Sequence, residues 1–339
     1  MVDKVKKLLD ELSRDNMSID NVGGDYKRIR VSEWTMPNGE TGRSVQKIFE
    51  PEPETTNYPV DELVECLANS PVGDPASTGR SHAMVLAAGD FQIGKGLEDG
   101  ETRNIVRNYL SSLNIAKDYW NRTGKPRRVH IAFLGDMIEG FVSQHGNNAW
   151  RTRLALTEQI RLTRMAMLRI VQTFDHCPEV TVTSIPGNHG EAVRFGKGAT
   201  TYDDSFDVDC LRAVAEAYKL SGKGHPPSFI FPDRDEMTTT VQVEKATVLH
   251  AHGHQWRTGK QFDWWQGQEF HNGSKSTILL AGHRHNLMVQ EQGERTFIQC
   301  PSLEDESTWF RHRTGITGNP GMVCFTVANG VPQNIVVAR

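Results

Sequence analysis

Five short apolar runs, each followed at once by polar residues, constrain this chain more than any other feature. They cover residues 83–88, 129–134, 180–185, 246–251 and 277–281. The first three alternate with stretches of helical periodicity, and the last two lie where most runs look like strands. Because the carboxyl ends of parallel strands meet at one edge of a sheet, residues far apart in sequence are predicted to gather there.

The residues after these runs are carboxylates, an asparagine and histidines, and many of the thirteen histidines of the chain lie in its second half. In chain order they are Asp90, Asp136, Glu139, Asn188, His189, His250, His252, His254, His283 and His285. One such residue alone is common in any soluble domain. A mixed oxygen and imidazole set suits Mn²⁺, Fe²⁺ or Zn²⁺. A carboxylate that bridges two such ions supports phosphoryl transfer to water, so the set predicts a metal centre acting on phosphate esters.

The series GD-x-x, GD-x-x-E, GNH, HGH and GH-x-H resembles the motifs of calcineurin-like metallophosphoesterases, over roughly residues 82–300. The resemblance implies an α/β fold, a four-layer αββα sandwich of two mixed sheets. It implies two divalent ions, with Mn²⁺ expected and Mg²⁺, Fe²⁺ or Zn²⁺ as alternatives. The ligands implied for the first ion are Asp90, Gln92, Asp136 and His285. Those implied for the second are Asp136, Asn188, His252 and His283, with His189 as the general acid.

Two positions depart from the family pattern. Gln92 stands where the first motif usually has histidine, and Gly190 stands where an acidic residue usually follows GNH. An amide oxygen is a poorer ligand than imidazole for these metals, so the first ion is expected to bind more weakly or to be harder. The alternative is a degenerate, inactive site. Glu191 is a candidate to orient His189 in place of the missing acid.

Several residues near the site keep two interpretations. His254 is a candidate to line the site, and His250 is either its support or part of the core. Arg284 would meet a phosphate or a surface carboxylate. Other candidates for support or substrate contact are Glu139, His145, Arg151 and Glu191. The pair Trp264 and Trp265 suggests either base stacking or a core or lid helix.

Domain organisation follows from composition. Residues 1–80 are predicted to be a small N-terminal α+β module, a helix and a hairpin followed by a linker rich in Pro, Gly and Ser. Residues 81–339 are predicted to form the metallophosphoesterase domain. The first residues lack the apolar core of a secretion signal, and no stretch approaches the roughly 20 apolar residues of a membrane span. With five scattered cysteines, a cytoplasmic protein without membrane contact is expected.

The substrate is less constrained than the reaction. The motif GDFQIGK and the segment VSEW together are similar to phage-encoded phosphoesterases related to SbcD-like DNA repair nucleases. That similarity implies a Mn²⁺-dependent DNA exonuclease or endonuclease in the host bacterial cytoplasm, working with an ATPase partner subunit; a homo-oligomer stays open. The net charge of −4 slightly favours the alternative, a phosphatase or small-molecule phosphodiesterase. A non-catalytic scaffold is the second alternative, and Gln92 is its main support.

Overall fold

The computed structural model describes residues 28–35, 41–48, 59–70, 82–96, 102–142, 152, 154–192, 201–222, 224–272, 275–305, 311–312, 315 and 318–339. His145, Arg151 and the predicted N-terminal helix lie outside these ranges. The chain divides into two compact units, residues 1–57 and 58–339. In the first unit, strands β1 (Arg28–Thr35) and β2 (Thr41–Ile48) form an antiparallel hairpin in which Arg28 lies opposite Ile48.

The described part of the second unit contains five helices and eleven strands. The helices are α1 (Val60–Ala68), α2 (Thr102–Arg122), α3 (Leu156–Phe174), α4 (Phe206–Ser221) and α5 (Gln261–Asn272). Helix α4 shows how the sequence sets its limits: Ser205 Oγ accepts the Asp207 N–H at its start, and Gly222 adopts a left-handed φ of 66° at its end. No described helix has both the length and the apolar character needed to cross a membrane.

Two mixed sheets form the centre of this unit. The six-stranded sheet has the order β13-β12-β3-β4-β5-β6, and the five-stranded sheet has the order β10-β11-β9-β8-β7. The strands of the first are β3 (Ala83–Ala88), β4 (Arg128–Phe133), β5 (Glu179–Ser184), β6 (Ser228–Ile230), β12 (Met322–Ala328) and β13 (Val331–Ala338). Those of the second are β7 (Thr239–Val243), β8 (Ala246–His250), β9 (Ile278–Ala281), β10 (Met288–Gln292) and β11 (Arg295–Gln299). Strands β3 to β6 run parallel, as do β8, β9 and β11.

Alternating side chains of these strands create four layers. Val85, Ala132 and their alternate neighbours pack against Val248 and Leu280 of the other sheet. The opposite face of the six-stranded sheet packs against α2, α3 and α4, with α1 beside them. Helix α5 covers the outer face of the five-stranded sheet, where Trp265 is fully buried. The predicted α/β fold with two mixed sheets is therefore confirmed.

The structure contains two elements that the sequence did not predict, strand β13 and helix α1. Strand β13 extends the six-stranded sheet beyond β12. Helix α1, which lies inside the predicted N-terminal module and linker, belongs by its contacts to the second unit. Its Leu63 and Leu67 join the helical core, and Asp61 pairs with Arg161 of α3 at 3.0 Å.

A histidine pair lies buried between the two sheets. His250 Nδ1 lies 2.9 Å from the carbonyl oxygen of Thr239, and its Nε2 lies 2.9 Å from His130 Nε2. His130 Nδ1 lies 2.8 Å from Thr181 Oγ1. Of the two interpretations of His250, the structure supports a residue of the core.

Candidate metal centre

The predicted ligand residues come together because the strands that precede them are parallel. Strands β3, β4 and β5 end side by side in one sheet, and β8 and β9 end side by side in the other. Backbone hydrogen bonds join the segments that follow. Asp90 N donates to Gly135 O at 3.0 Å, and Gly282 N donates to His252 O at 2.8 Å. The polar residues of both sheets thus share one edge of the sandwich.

The backbone at this edge is strained. Five candidate ligands have a left-handed φ, which residues other than glycine seldom adopt. They are Asp90 (52°), Gln92 (45°), Asp136 (53°), His283 (71°) and His285 (54°). Left-handed residues that are not glycine collect at functional sites because the surrounding structure holds them there. Five of the ten left-handed residues other than glycine in the described structure lie at this edge, which agrees with a site there.

Asp136, His252 and His283 form the centre of the site. Among the described residues they are the group of three whose potential ligand atoms all lie within 4.8 Å of one another. Asp136 and His252 are buried, with His252 Nε2 2.9 Å from Asp136 Oδ2. The Asp136 carboxylate needs a glycine beside it, because a Cβ at Gly187 would lie 2.0 Å from its Oδ1.

Unsatisfied buried atoms in this centre fit a cation. His252 Nδ1 lies 2.7 Å from the Leu134 carbonyl and donates its proton there, which directs Nε2 at Asp136 Oδ2. Buried oxygens of the centre without a hydrogen-bond partner in the described structure include Asp90 Oδ1 and Asn188 Oδ1. Buried polar atoms are rarely left unsatisfied in this way. One carboxylate, two imidazoles and an amide oxygen suit a borderline divalent cation, so these residues fit the expected metal.

Burial and neighbouring charges shift the pKa values of the site residues in opposite directions. Burial alone would raise the pKa of Asp136, but His252 and His189 hold it far below its usual value. Burial opposes protonation of His252, yet Asp136 raises its pKa to about 9. Burial and the neighbouring His252 lower the pKa of His283 to about 2. His283 is therefore neutral, whereas His252 carries a proton on Nε2 that a bound cation would replace.

His189 is held by Glu139. Its Nδ1 lies 3.0 Å from the Glu139 carbonyl oxygen and 3.4 Å from the Glu139 carboxylate. Its main-chain N–H donates to Asp136 Oδ1 at 2.7 Å, and its Nε2 lies 3.9 Å from Asp136 Oδ2. The role expected of Glu191 is thus filled by Glu139; Glu191 itself forms an isolated β-bridge with Ser205.

The Asp207 carboxylate supports the backbone of the loops that carry the ligands, a role that the sequence did not reveal. Its carboxylate accepts backbone N–H groups of Asp136 at 3.1 Å, Met137 at 2.8 Å and Gly187 at 2.9 Å. It is fully buried, and burial together with Asp136 raises its pKa to about 6. An acidic residue in the first turn of a helix usually signals only helix capping, so no local pattern pointed to these distant contacts.

A polar chain connects Gln92 to Asp90, and two of its members, Lys95 and Glu304, were also missed. Lys95 Nζ donates to Gln92 Oε1 at 3.1 Å and pairs with Glu304 Oε2. Glu304 Oε1 lies 2.9 Å from His285 Nδ1. His285 Nε2 lies 3.4 Å from Asp90 Oδ1. Gln92 and Glu304 are each only 3% exposed, so the chain lies in the interior beside the metal centre.

The remaining candidates lie at the rim or in the core. The His254 ring is centred 5.3 Å from that of His252 and 6.0 Å from that of His283, which places it beside the site. Arg284 Nη2 donates to the Trp256 carbonyl at 3.1 Å. Trp265 is fully buried in α5, and its Nε1 donates to Ser276 Oγ at 2.6 Å, so it is a core residue.

Comparison with known proteins gives only distant similarities. No protein-family model and no curated protein sequence matches the chain. An archaeal phosphodiesterase structure is 12% identical with a TM-score of 0.35, covering 75% of this chain and 99% of that one. A predicted phosphoesterase from Streptococcus pneumoniae is 12% identical with a TM-score of 0.33, covering 77% and 92%. Vps29 from Entamoeba histolytica complexed with zinc is 14% identical with a TM-score of 0.32, covering 76% and 99%. TM-scores this low assign no function, so any function of this chain has to be inferred from the geometry of the site.

Proposed function

We propose that this protein is a metal-dependent phosphoesterase that hydrolyses phosphodiester bonds. The observation that carries the proposal is the convergence of Asp136, His252 and His283 within 4.8 Å, beside the buried histidine His189. The residues that would hold the metal are these three and Asn188. A divalent ion bound there would polarise a phosphoryl oxygen and lower the pKa of a water molecule.

The chain's own residues supply orientation and a proton. His189 donates Nδ1–H to the Glu139 carbonyl, which leaves Nε2 on the side of Asp136. A protonated His189 can therefore donate from Nε2 to a leaving oxygen beside the metal centre. Glu139 keeps the ring in this orientation, and the bond from His189 N to Asp136 Oδ1 ties the acid to the ligand loop.

The described structure does not favour nucleic acid over a smaller diester. Two basic residues of α3 that could attract a nucleic acid are already in ion pairs, Arg161 with Asp61 and Arg164 with Asp209 at 2.6 Å. Trp265, considered for base stacking, is in the core. We therefore propose the reaction as phosphodiester hydrolysis. DNA as the substrate, Mn²⁺ as the metal and an ATPase as the partner remain predictions.

The test is hydrolysis of bis-p-nitrophenyl phosphate and of labelled single- and double-stranded DNA with Mn²⁺, Mg²⁺ or Zn²⁺. Turnover of the diester is expected, and cleavage of DNA would identify a nuclease. His189→Gln should lower kcat about 100- to 10,000-fold, the usual contribution of a general acid, without changing metal content. His283→Gln should abolish both turnover and metal binding.

A matched control is His271→Gln, which changes a histidine of α5 that lies at the exposed end of that helix. Its turnover should equal that of the unchanged protein. If the protein binds metal but hydrolyses none of these substrates, the non-catalytic scaffold replaces the phosphoesterase as the function.

A further inference from the structure

The metal centre has two unequal halves. On one side, Asp136, His252 and His283 bring three ligand atoms within reach of one ion. On the other side, Asp90 Oδ1 and His285 Nε2 face each other at 3.4 Å. The residue that would complete this second half, by its position in the first motif, is Gln92.

The Gln92 oxygen already has a cationic partner. Oε1 accepts a hydrogen bond from the Lys95 ammonium at 3.1 Å. A divalent ion on the same oxygen would lie close to that ammonium, and like charges repel strongly away from bulk water. The contact with Lys95 therefore opposes the use of Gln92 as a metal ligand.

Lys95 is fixed in this place by a buried acid. Glu304, which is 3% exposed, pairs with Lys95 through Oε2 and with His285 Nδ1 through Oε1. The Lys95 side chain is itself only 14% exposed. A buried carboxylate is costly without a counter-charge, so Glu304 holds the Lys95 ammonium next to Asp90 and His285.

We infer that this protein holds a single tight metal ion at Asp136, His252 and His283, and that the Lys95 ammonium supplies the positive charge on the other side of the centre. This inference rests on the proposed function for its substrate, an anionic phosphodiester. Lysine is a compact point charge and a common phosphate partner. Lys95 would thus place its charge, beside Gln92, on the side of the centre where a two-metal enzyme has its second cation.

Metal stoichiometry tests the inference without any need for turnover. The full-length protein is loaded with Mn²⁺, desalted and measured by inductively coupled plasma mass spectrometry. About one ion per chain is expected, against about two for a dinuclear centre. His285→Gln should keep the ion, whereas His283→Gln should lose it. A value near two in the unchanged protein, or loss of the ion in His285→Gln, would overturn the inference.

Two substitutions at Lys95 test its role towards the phosphate. Lys95→Met should lower kcat for bis-p-nitrophenyl phosphate about 100-fold or more, as loss of a fixed charge-stabilising donor does, with metal content unchanged. Lys95→Arg keeps the charge and should retain most of the turnover. This variant keeps the test valid if Lys95→Met folds poorly. The control is Lys260→Met, at an exposed lysine that pairs with Asp263. Unchanged kcat in a folded Lys95→Met would contradict the role.

A gain-of-site variant completes the test. Gln92→His combined with Lys95→Met removes the ammonium and offers an imidazole beside Asp90 and His285, so a second ion is expected. Retention of a single ion in a folded double variant would count against Lys95 as the residue that excludes it. Absence of turnover in the unchanged protein, with about one ion still bound, would refute the proposed function and leave the single-ion site standing.

Discussion

At the residue scale, the candidate site depends on buried acids that never face the substrate. Asp207 accepts three backbone N–H groups from the two loops that carry Asp136 and Asn188. These bonds hold both loops in the strained shape that presents the ligands. A carboxylate can accept all of them, while an amide of the same size cannot, because one of its two ends is a donor.

Asp207→Asn should therefore lower the free energy of unfolding by about 2–3 kcal/mol, since at least one buried N–H would face an amide NH₂. Metal content should fall as well, because the Asp136 loop loosens. Urea denaturation and metal analysis would measure both effects. The control is Asp209→Asn on the same helix, where the partly exposed pair with Arg164 should change stability by about 0.5 kcal/mol or less. Equal losses in the two variants would contradict the role of Asp207.

The sequence predicted the gathering of ligands but not their supports, and the reason is physical. Asp90, Asp136 and His283 each follow a recognisable strand, and parallel strands bring their ends together. Asp207 bonds to a residue 71 positions away, and Glu304 pairs with a lysine 209 positions away. Such contacts follow from the packing of whole elements, so no local spacing in the sequence encodes them.

At the scale of elements, helices and strands with clear periodicity were predicted closely. Helix α2 has buried residues at helical spacing on one face, and β3 is buried along its whole length. Strand β13 was missed because it contains Pro332 and alternates mainly between exposed and half-buried positions at the sheet edge. Helix α1 was missed because it is only nine residues long and follows a polar stretch.

The contribution of α1 to the second unit can be measured. Leu67 is 1% exposed in the core that contains α2 and α3. Leu67→Ala should lower the free energy of unfolding by about 2–5 kcal/mol, as other buried leucines do. Glu65→Ala, on the exposed side of the same helix, should change it by about 0.5 kcal/mol or less. A Leu67→Ala variant as stable as the unchanged protein would place α1 outside this core.

The histidine pair between the sheets predicts a pH effect. Burial and the neighbouring His250 lower the pKa of His130 well below its ordinary value. The unfolded chain takes up a proton on His130 below about pH 6.5, whereas the folded protein does not. The contribution of His130 to the free energy of unfolding is therefore complete above that pH and is lost as the pH falls.

His130→Gln keeps a donor for His250 but cannot titrate. Between pH 6.5 and 5.5 the unchanged protein should lose about 1 kcal/mol more stability than this variant, because the unfolded His130 goes from about half to about nine-tenths protonated over that range. Urea denaturation at both values would measure the difference. The other facing group, the Thr181 hydroxyl, does not titrate in this range. Equal pH slopes in the two proteins would contradict the prediction.

At the scale of the whole molecule, the second unit contains every described core. All three hydrophobic clusters consist of residues from Val60 onward. A fragment of residues 58–339 should therefore unfold cooperatively and hydrolyse bis-p-nitrophenyl phosphate with the kcat of the full chain. Circular dichroism and steady-state kinetics would check both properties. A fragment that is insoluble, or inactive where the full chain is active, would show that residues 1–57 are needed for folding or catalysis.

The left-handed residues at the sheet edge have a consequence for the stability of the fold. Each non-glycine residue in that conformation costs about 1 kcal/mol or more relative to glycine, so this edge reduces the stability of the fold. Glycine at any of these positions would relieve strain. Asp90, Asp136, His283 and His285 are nevertheless all present. The fifth of these residues, Gln92, is joined to Lys95 and through it to the buried Glu304, so its strained position is built into the interior of the fold.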